Sequence, residues 1–157
     1  MGIVADFGAA YAKAQLGAGQ RLPTSGAVFI SVEDKDKPSA VAIAAGFRSL
    51  GFDILSTDGT ARFLAQHGVQ CQTIKKVSMG RPHVVDAIKN KMVQLVVNTA
   101  GASGPLKDGY AIRRAALAFN VPYTTTIHGA DASLRAISSM KREAMGVLPI
   151  QDYYNRI

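Results

Sequence analysis

The sequence predicts an α/β domain in which a five-stranded parallel sheet carries helices on both faces. Short apolar runs alternate along the chain with longer segments whose apolar residues recur at helical spacing. Such alternation implies right-handed crossover helices, which cover both faces of an open parallel sheet. Because 48% of the 157 residues are apolar, the protein can bury one proper core.

The amino-terminal segment, residues 3–15, is predicted to be a helix because Phe7, Tyr11 and Ala14 recur at helical spacing. Two glycines and Pro23 then interrupt the pattern. This helix and linker are therefore expected to stand apart from the strand–helix units of the later sequence.

The first strand–helix unit begins at residue 27. Residues 27–32 form an apolar run typical of a buried parallel strand. Pro38 then opens a helix, and Gly51 ends it in the manner of a helix carboxyl terminus. The residues predicted to face inward from this helix are Ile43, Phe47 and Leu50.

The same unit then recurs along the chain. The further strands are predicted at residues 52–55, 69–74, 95–97 and 121–126, with helix 60–67 after the first of them. A Gly-rich loop is expected over residues 100–109. The inward-facing residues of the later helices are predicted to be Val85, Ile88 and Met92, then Ile112, Ala116 and Phe119, then Ala130, Leu134 and Ile137.

Polar side chains follow every predicted strand. Because the carboxyl ends of parallel strands meet at one edge of the sheet, and ligands bind outside that edge, these groups are expected to converge. Lysines there would supply positive charge, and threonines would supply the geometry of the site. The sequence therefore predicts a small-anion site at this edge. The five strand exits are residues 33–37, 56–60, 75–76, 98–99 and 124–126.

The turn Ser56–Thr60 stands where a strand hands over to a helix. Free backbone N–H groups and the positive end of a helix dipole favour a phosphate there, and Gly59 allows a close approach. The alternative is an ordinary helix start that Thr57 or Asp58 caps with nothing bound.

The basic residues have similar alternatives. Lys37 begins a helix, where the dipole disfavours a cation, so a ligand and simple solvation are both open. Of Lys75 and Lys76, only one is expected to point into the edge, since side chains alternate along a strand. Arg113 and Arg114 are predicted to turn away from the core, toward solvent or a partner.

The net charge is +7, and the lysines and arginines that produce it are scattered along the chain. Aromatic residues do not alternate with them, as they would in a surface that stacks the bases of single-stranded nucleic acid. Small anionic ligands are therefore favoured over nucleic acid, with acidic partner surfaces as the alternative. A lone cysteine, the absence of an apolar signal core and the absence of a membrane-length stretch predict a cytoplasmic protein. The three histidines are far apart, so no metal site is expected. Ser103–Pro105 does not form a nucleophile elbow.

Several of these segments resemble the methylglyoxal-synthase-like domain at the carboxyl end of the carbamoyl-phosphate synthase large subunit. The resemblance covers about residues 26–138 and implies a Rossmann- or flavodoxin-like three-layer sandwich. Residues 1–22 resemble the tail and linker of a preceding ATP-grasp domain, with the regulatory domain over 23–157. The motifs that carry it are Ile30–Val32, Lys37, Thr57–Ala61, Lys76–Val77, Gly80–His83, Ile88–Asn90, Asn98–Thr99, Ile112–Ala116 and Thr125–Thr126.

This resemblance implies an allosteric function within a much longer ATP-dependent, glutamine-hydrolysing ligase of arginine and pyrimidine biosynthesis. The domain would bind UMP, which inhibits, and in some members IMP, which activates, and Thr125 would help relay an ornithine signal. It implies no cofactor in this segment, with ATP and Mg in the parent enzyme. The implied partners are the rest of the large subunit, a glutaminase small subunit and further copies in an oligomer, without nucleic acid or membrane. The implied effector-binding residues are Lys37, Thr57, Asp58, Gly59, Thr60, Lys76, Asn98 and Thr99.

An enzyme on the same fold is the alternative function. A free-standing methylglyoxal synthase or IMP-cyclohydrolase-like enzyme would act on a phosphorylated small molecule, but the loop Met79–His83 and the stretch 98–100 lack the carboxylate base of the synthase. No catalytic residue is therefore predicted. The sequence also departs from the regulatory pattern, because Ala100 replaces a common threonine and Gly109 a common serine.

Overall fold

The computed structural model describes residues 2–99 and 106–154, which form a five-stranded sheet with helices on both faces. The strands are β1 (Ala27–Ser31), β2 (Asp53–Ser56), β3 (Gln72–Thr73), β4 (Leu95–Asn98) and β5 (Tyr123–Thr124). The helices are α1 (Phe7–Gly17), α2 (Lys37–Ser49), α3 (Asp58–Gln66), α4 (Val84–Lys89), α5 (Leu106–Ala118), α6 (Ile127–Arg142) and α7 (Ile150–Tyr154).

All strand pairs are parallel, in the order β3-β2-β1-β4-β5. The polypeptide therefore moves outward from β1 on one side and returns to lay β4 on the other side of β1. This reversal makes the β1–β4 boundary a topological switch point, the place at which open α/β sheets commonly bind ligands. Ser31 is paired with Asn98 at that boundary. The predicted fold class is confirmed.

The central strand shows why the sheet is buried on both faces. Val28 and Ile30 pack into one core with α1, α2 and α6, whereas Phe29 packs into a second core with α4 and α5. All three side chains are fully buried. Alternate side chains of a strand point to opposite faces, so an unbroken apolar run is what a two-sided core requires.

Several boundaries differ from the sequence prediction. The third and fifth apolar runs contribute only two paired residues each, and α3 begins at Asp58, two residues before its predicted start. The predicted loop 100–109 is shorter, because α5 begins at Leu106; residues 100–105, including Ala100 and the Ser103–Pro105 turn, lie outside the described residues.

Two residues predicted to face inward are exposed. Met92 lies beyond the end of α4, after Lys91 has turned the backbone with a φ of 56°. Phe119 likewise follows the last residue of α5 and precedes Asn120, whose φ is 53°. Both side chains therefore leave the core side, with exposures of 58% for Met92 and 45% for Phe119.

Helix α1 packs against α6, so the amino-terminal segment folds onto the sheet domain. Asp6 caps α1 by accepting a 2.8 Å hydrogen bond from Ala9 N, and the Arg135 guanidinium lies 4.4 Å from the centre of the Phe7 ring. A β-carbon at Gly8 would lie only 2.5 Å from the Arg135 carbonyl oxygen, so glycine permits the close helix crossing. The division at residues 22 and 23 stays a prediction.

None of the described helices is both long and apolar enough to cross a membrane.

Candidate functional site

The turn after β1 links the exits of β1 and β2. Ser31 Oγ lies 3.0 Å from Thr57 Oγ1, and Val32 N donates to Thr60 Oγ1 over 3.4 Å. Thr57 and Thr60 are both 3% exposed. Two buried threonines predicted as ligands are thus brought together, but each hydroxyl already has a partner within the protein.

The exit of β4 is tied to the same turn. Asn98 Nδ2 donates to the Ser31 carbonyl oxygen over 3.2 Å, and Glu33 N donates to Thr99 Oγ1 over 3.0 Å. Asn98 and Thr99 are both buried. The turn after β1 is therefore the hub of the predicted site, a role that sequence reasoning did not give it. The sequence feature that could have indicated this role is the position of Ser31 at the end of the central strand.

Arg113 is the second residue that sequence reasoning missed. It was predicted to turn away from the core, but its Nη1 donates to Asn98 Oδ1 over 3.3 Å, while Arg114 is exposed. A β-carbon at Gly109 would lie 3.1 Å from Arg113 Nη1 and 3.3 Å from Asn98 Oδ1. Because Gly109 carries no side chain, the guanidinium reaches the amide and fixes its orientation.

The start of α3 lacks a side-chain cap among the described residues. Thr57 occupies the N-cap position with extended backbone (φ −70°, ψ 153°), but its hydroxyl faces Ser31 and not the helix. Asp58, predicted as a cap, pairs instead with Arg62 one turn later, at 2.6 Å between Oδ2 and Nη2. The first N–H groups of the helix are left for solvent or a ligand.

Lys37 lies next to this helix start. A β-carbon at Gly59 would lie 3.8 Å from Lys37 Nζ, and the ammonium is 6.0 Å from the centre of the Phe63 ring. The Lys37 side chain is only 19% exposed and forms a 2.7 Å ion pair with Asp34. A cation and uncapped helix N–H groups thus share one place, an arrangement that suits an anion.

The loop after β3 carries Lys76, whose charge also acts on the Asp34 carboxylate. The hydrogen bond and charge of Lys37, together with the charge of Lys76, lower the pKa of Asp34 below its usual value. The strand ends at Thr73, so strand alternation does not decide between Lys75 and Lys76, contrary to the sequence argument. The feature that distinguishes Lys76 from Lys75 is that the charge of Lys76 acts on Asp34.

Thr125 lies between β5 and α6 and is exposed. Within the described residues its side chain makes no hydrogen bond to the threonine–asparagine network. Its neighbour Thr126 caps α6, accepting from Gly129 N over 3.0 Å. The structure therefore places Thr125 at the same edge of the sheet but outside the contacts that join the other predicted residues.

The loop Gly80–His83 is held by one acid. Asp86 pairs with Arg81 and accepts a 3.0 Å hydrogen bond from His83 N. The Arg81 hydrogen bond, followed by that from His83 N, lowers the pKa of Asp86. Immediately before this loop, Ser78 Oγ donates to Asp108 Oδ2 over 2.7 Å and joins the segment to α5.

Comparison with known proteins gives the family. The MGS-like domain model matches residues 39–125. The carbamoyl phosphate synthase large chain of Nostoc sp. is 47% identical over 153 residues, which are 98% of this chain and 14% of the relative. The C-terminal sections of that large chain from Aquifex aeolicus and Methanopyrus kandleri are each 48% identical, over 99% and 98% of this chain and 30% and 29% of the relatives.

The fold has a solved counterpart. The crystal structure of methylglyoxal synthase from Elizabethkingia anophelis superposes with a TM-score of 0.61, covering 87% of this chain and 93% of that chain at 18% identity. At that identity the likeness concerns the fold alone. The family match shows that this chain belongs to the MGS-like domain family. Over nearly its whole length the chain is also similar to C-terminal sections of carbamoyl phosphate synthase large chains.

Proposed function

We propose that this protein is a regulatory domain of a carbamoyl phosphate synthase large chain and binds the phosphate of a nucleotide effector at the carboxyl edge of its sheet. The observation that carries the proposal is the position of Lys37 beside Gly59 at the uncapped start of α3. The family match and the similarity to the C-terminal sections of large chains support the regulatory role.

We define the candidate anion site as the α3 start together with Lys37 and Lys76, the two lysines whose charges act on Asp34. Backbone N–H groups of α3 would contact the phosphate, and Lys37 and Lys76 would neutralise its charge. The buried hydroxyls of Thr57 and Thr60 and the amide of Asn98 would hold the hub turn rigid and contact the rest of the ligand. The site as a whole comprises Lys37, Thr57, Asp58, Gly59, Thr60, Lys76, Asn98 and Thr99.

The effectors proposed are UMP as inhibitor and IMP as activator, with ornithine acting through Thr125. Thr125 adjoins the cap of α6, and α6 packs on both α1 and α2. A change at this turn has a physical route toward the amino-terminal helix, where the rest of the large chain would attach. The glutaminase small subunit and further copies of the large chain are proposed as partners of the whole enzyme.

Binding, and not turnover, is the function that four carboxylates with partners inside the protein support. Asp34 is paired with Lys37, Asp58 with Arg62 and Asp86 with Arg81, while Asp108 accepts a hydrogen bond from Ser78. A general base needs its lone pair directed at a substrate proton. Incubation with dihydroxyacetone phosphate is expected to give no methylglyoxal above background, and product that vanishes in Asp58→Asn would contradict this.

Titration calorimetry of the 157-residue protein with UMP, IMP, uridine and ornithine tests the proposal. UMP is expected to bind with one site per molecule, and uridine, which lacks the phosphate, at least about tenfold more weakly, as the loss of charge-assisted contacts implies. Equal affinity for UMP and uridine, or no binding of any nucleotide, would overturn it.

A further inference from the structure

We infer that Asp34 is an internal counter-anion of the candidate anion site: its carboxylate pairs with Lys37 before a ligand binds and is displaced when a phosphate arrives. The inference rests on the function proposed above and adds a residue that sets the affinity of that site. It concerns a short helical turn, Asp34–Asp36, that connects β1 to α2.

The two partners of this ion pair differ in their freedom. The Asp34 side chain is 95% exposed, whereas that of Lys37 is 19% exposed and lies over the Phe63 ring. The lysine is therefore held by packing beside Gly59, and only the carboxylate is free to rotate away into solvent. Displacement would move Asp34 and leave Lys37 where the proposed phosphate contact needs it.

The neighbouring charges leave Asp34 as the acid of this turn that faces the lysines of the site. Glu33 pairs with Lys35 at 3.0 Å, and the charge of Asp36 acts on Lys35. Asp34 instead experiences both Lys37 and Lys76, and both lower its pKa, so it is an anion at neutral pH. The carboxylate that pairs with Lys37 at 2.7 Å therefore also experiences the charge of Lys76.

A phosphate can displace the Asp34 carboxylate from Lys37 although the carboxylate is always present. A group tethered three residues from Lys37 has an effective concentration on the order of millimolar. A phosphomonoester carries roughly −1.5 to −2 charges against −1 for Asp34. It can also accept hydrogen bonds from the uncapped α3 N–H groups, which the tethered carboxylate leaves unused.

The test compares Asp34→Asn with Asp36→Asn, using calorimetric titration of UMP and uridine at one low ionic strength. Both substitutions remove one negative charge from the same turn at nearly constant shape, but Asp36 is not paired with Lys37. Because exposed ion pairs are weak, Asp34→Asn is expected to tighten UMP binding about two- to fivefold. Asp36→Asn is expected to change it less than about 1.5-fold, and neither should alter uridine binding.

Repeating the comparison in a Lys37→Met variant tests whether the effect of Asp34 depends on its ion pair with Lys37. In Lys37→Met, the further change Asp34→Asn is expected to have a clearly smaller effect than in the wild-type background, because the ion pair is already broken and only the charge of Lys76 still acts on Asp34. If Asp34→Asn weakens UMP binding in the wild-type background, Asp34 positions Lys37 and the inference is wrong. If the two asparagine variants act equally, the effect is a general field and the inference is again wrong. Both results would leave UMP binding by the wild type, and thus the proposed function, intact; absence of UMP binding in wild type and Asp34→Asn alike would overturn both.

Discussion

Two junctions at the carboxyl edge of the sheet are built from similar residues but differ at one hydroxyl. Thr57 is the N-cap residue of α3 and Thr126 is the N-cap residue of α6, both with extended backbone. Thr126 caps its own helix through Gly129 N, whereas the Thr57 hydroxyl is turned toward Ser31 on the neighbouring strand. A threonine at a strand–helix junction therefore does not by itself mark a binding site. What distinguishes the α3 start is that its capping group is used elsewhere and a lysine stands beside it.

The largest expected effect removes that lysine. Lys37→Met, which keeps most of the packing on Phe63, should weaken UMP binding about ten- to hundredfold, as losing a charge-assisted contact of about 1.5 to 3 kcal/mol implies. Lys35→Met is the control, since Lys35 pairs with Glu33 and is well exposed. Equal losses in the two variants would mean that the site responds only to total charge.

Lys76→Ala extends the same test to the loop after β3. It is expected to cost about 1.5 to 3 kcal/mol of UMP binding free energy if its ammonium contacts the phosphate. Lys75→Ala is the control, because Lys75 is also exposed and its contact to α4 is made by its backbone oxygen, which alanine keeps. A titration in which Lys75→Ala weakens binding as much as Lys76→Ala would remove Lys76 from the site.

Thr126→Val tests the α6 junction, where the threonine has a structural role as the helix cap. Losing an N-cap hydroxyl typically costs about 0.5 to 2 kcal/mol of stability, so the free energy of unfolding should fall by that amount in urea. UMP affinity should stay within about twofold, because the α6 start carries no proposed ligand contact. A clear loss of UMP affinity in this variant would show that the α6 junction also binds the ligand.

Thr57→Val tests the α3 junction, where a ligand is proposed to bind. Loss of one neutral hydroxyl is expected to weaken UMP binding by about 0.5 to 1.5 kcal/mol. The Ser31–Thr57 hydrogen bond is lost too, so unfolding measurements are needed beside the titration. Stability that falls as for Thr126→Val with no change in UMP affinity would make the two junctions equivalent, against the proposal.

The smallest effect concerns the orientation of Asn98. Arg113→Met removes the guanidinium that the Asn98 amide oxygen faces and should weaken UMP binding by less than about 1 kcal/mol. Arg114→Met, at the exposed neighbouring position, should have no effect. A tenfold loss in Arg113→Met would indicate direct contact with the ligand.

The sequence predicted the central strands well because their burial on both faces demands unbroken apolar runs. β1, β2 and β4 lie within one residue of their predicted positions at each end. β3 and β5 were overestimated, since each pairs on one side only and the apolar run around it also serves as a connection. Strand length at an edge is set by the neighbour, which a single sequence does not show.

Side-chain direction at the candidate site was harder to predict than its composition. The convergence of Thr57, Thr60, Asn98 and Thr99 at one edge was predicted from the parallel strands, and the structure brings these residues to the hub turn. Their burial was not predicted. The rotation of α5 was predicted correctly, because Ile112 and Ala116 are buried. Arg113 was nevertheless misplaced, because its long side chain reaches past Gly109 to Asn98, a contact that the helical pattern does not show. The diversion of the Thr57 hydroxyl depends on Ser31, a contact between distant parts of the sequence.

The central claim is that the α3 start is an open anion site and the α6 start is closed. A titration of ¹⁵N-labelled protein with inorganic phosphate and then UMP, followed by amide chemical shifts, tests it most directly. The amides of Gly59 and Thr60 are expected to shift progressively to saturation with both ligands, while that of Gly129 stays unchanged. Saturable shifts at Gly129 with none at Gly59 and Thr60 would contradict the account.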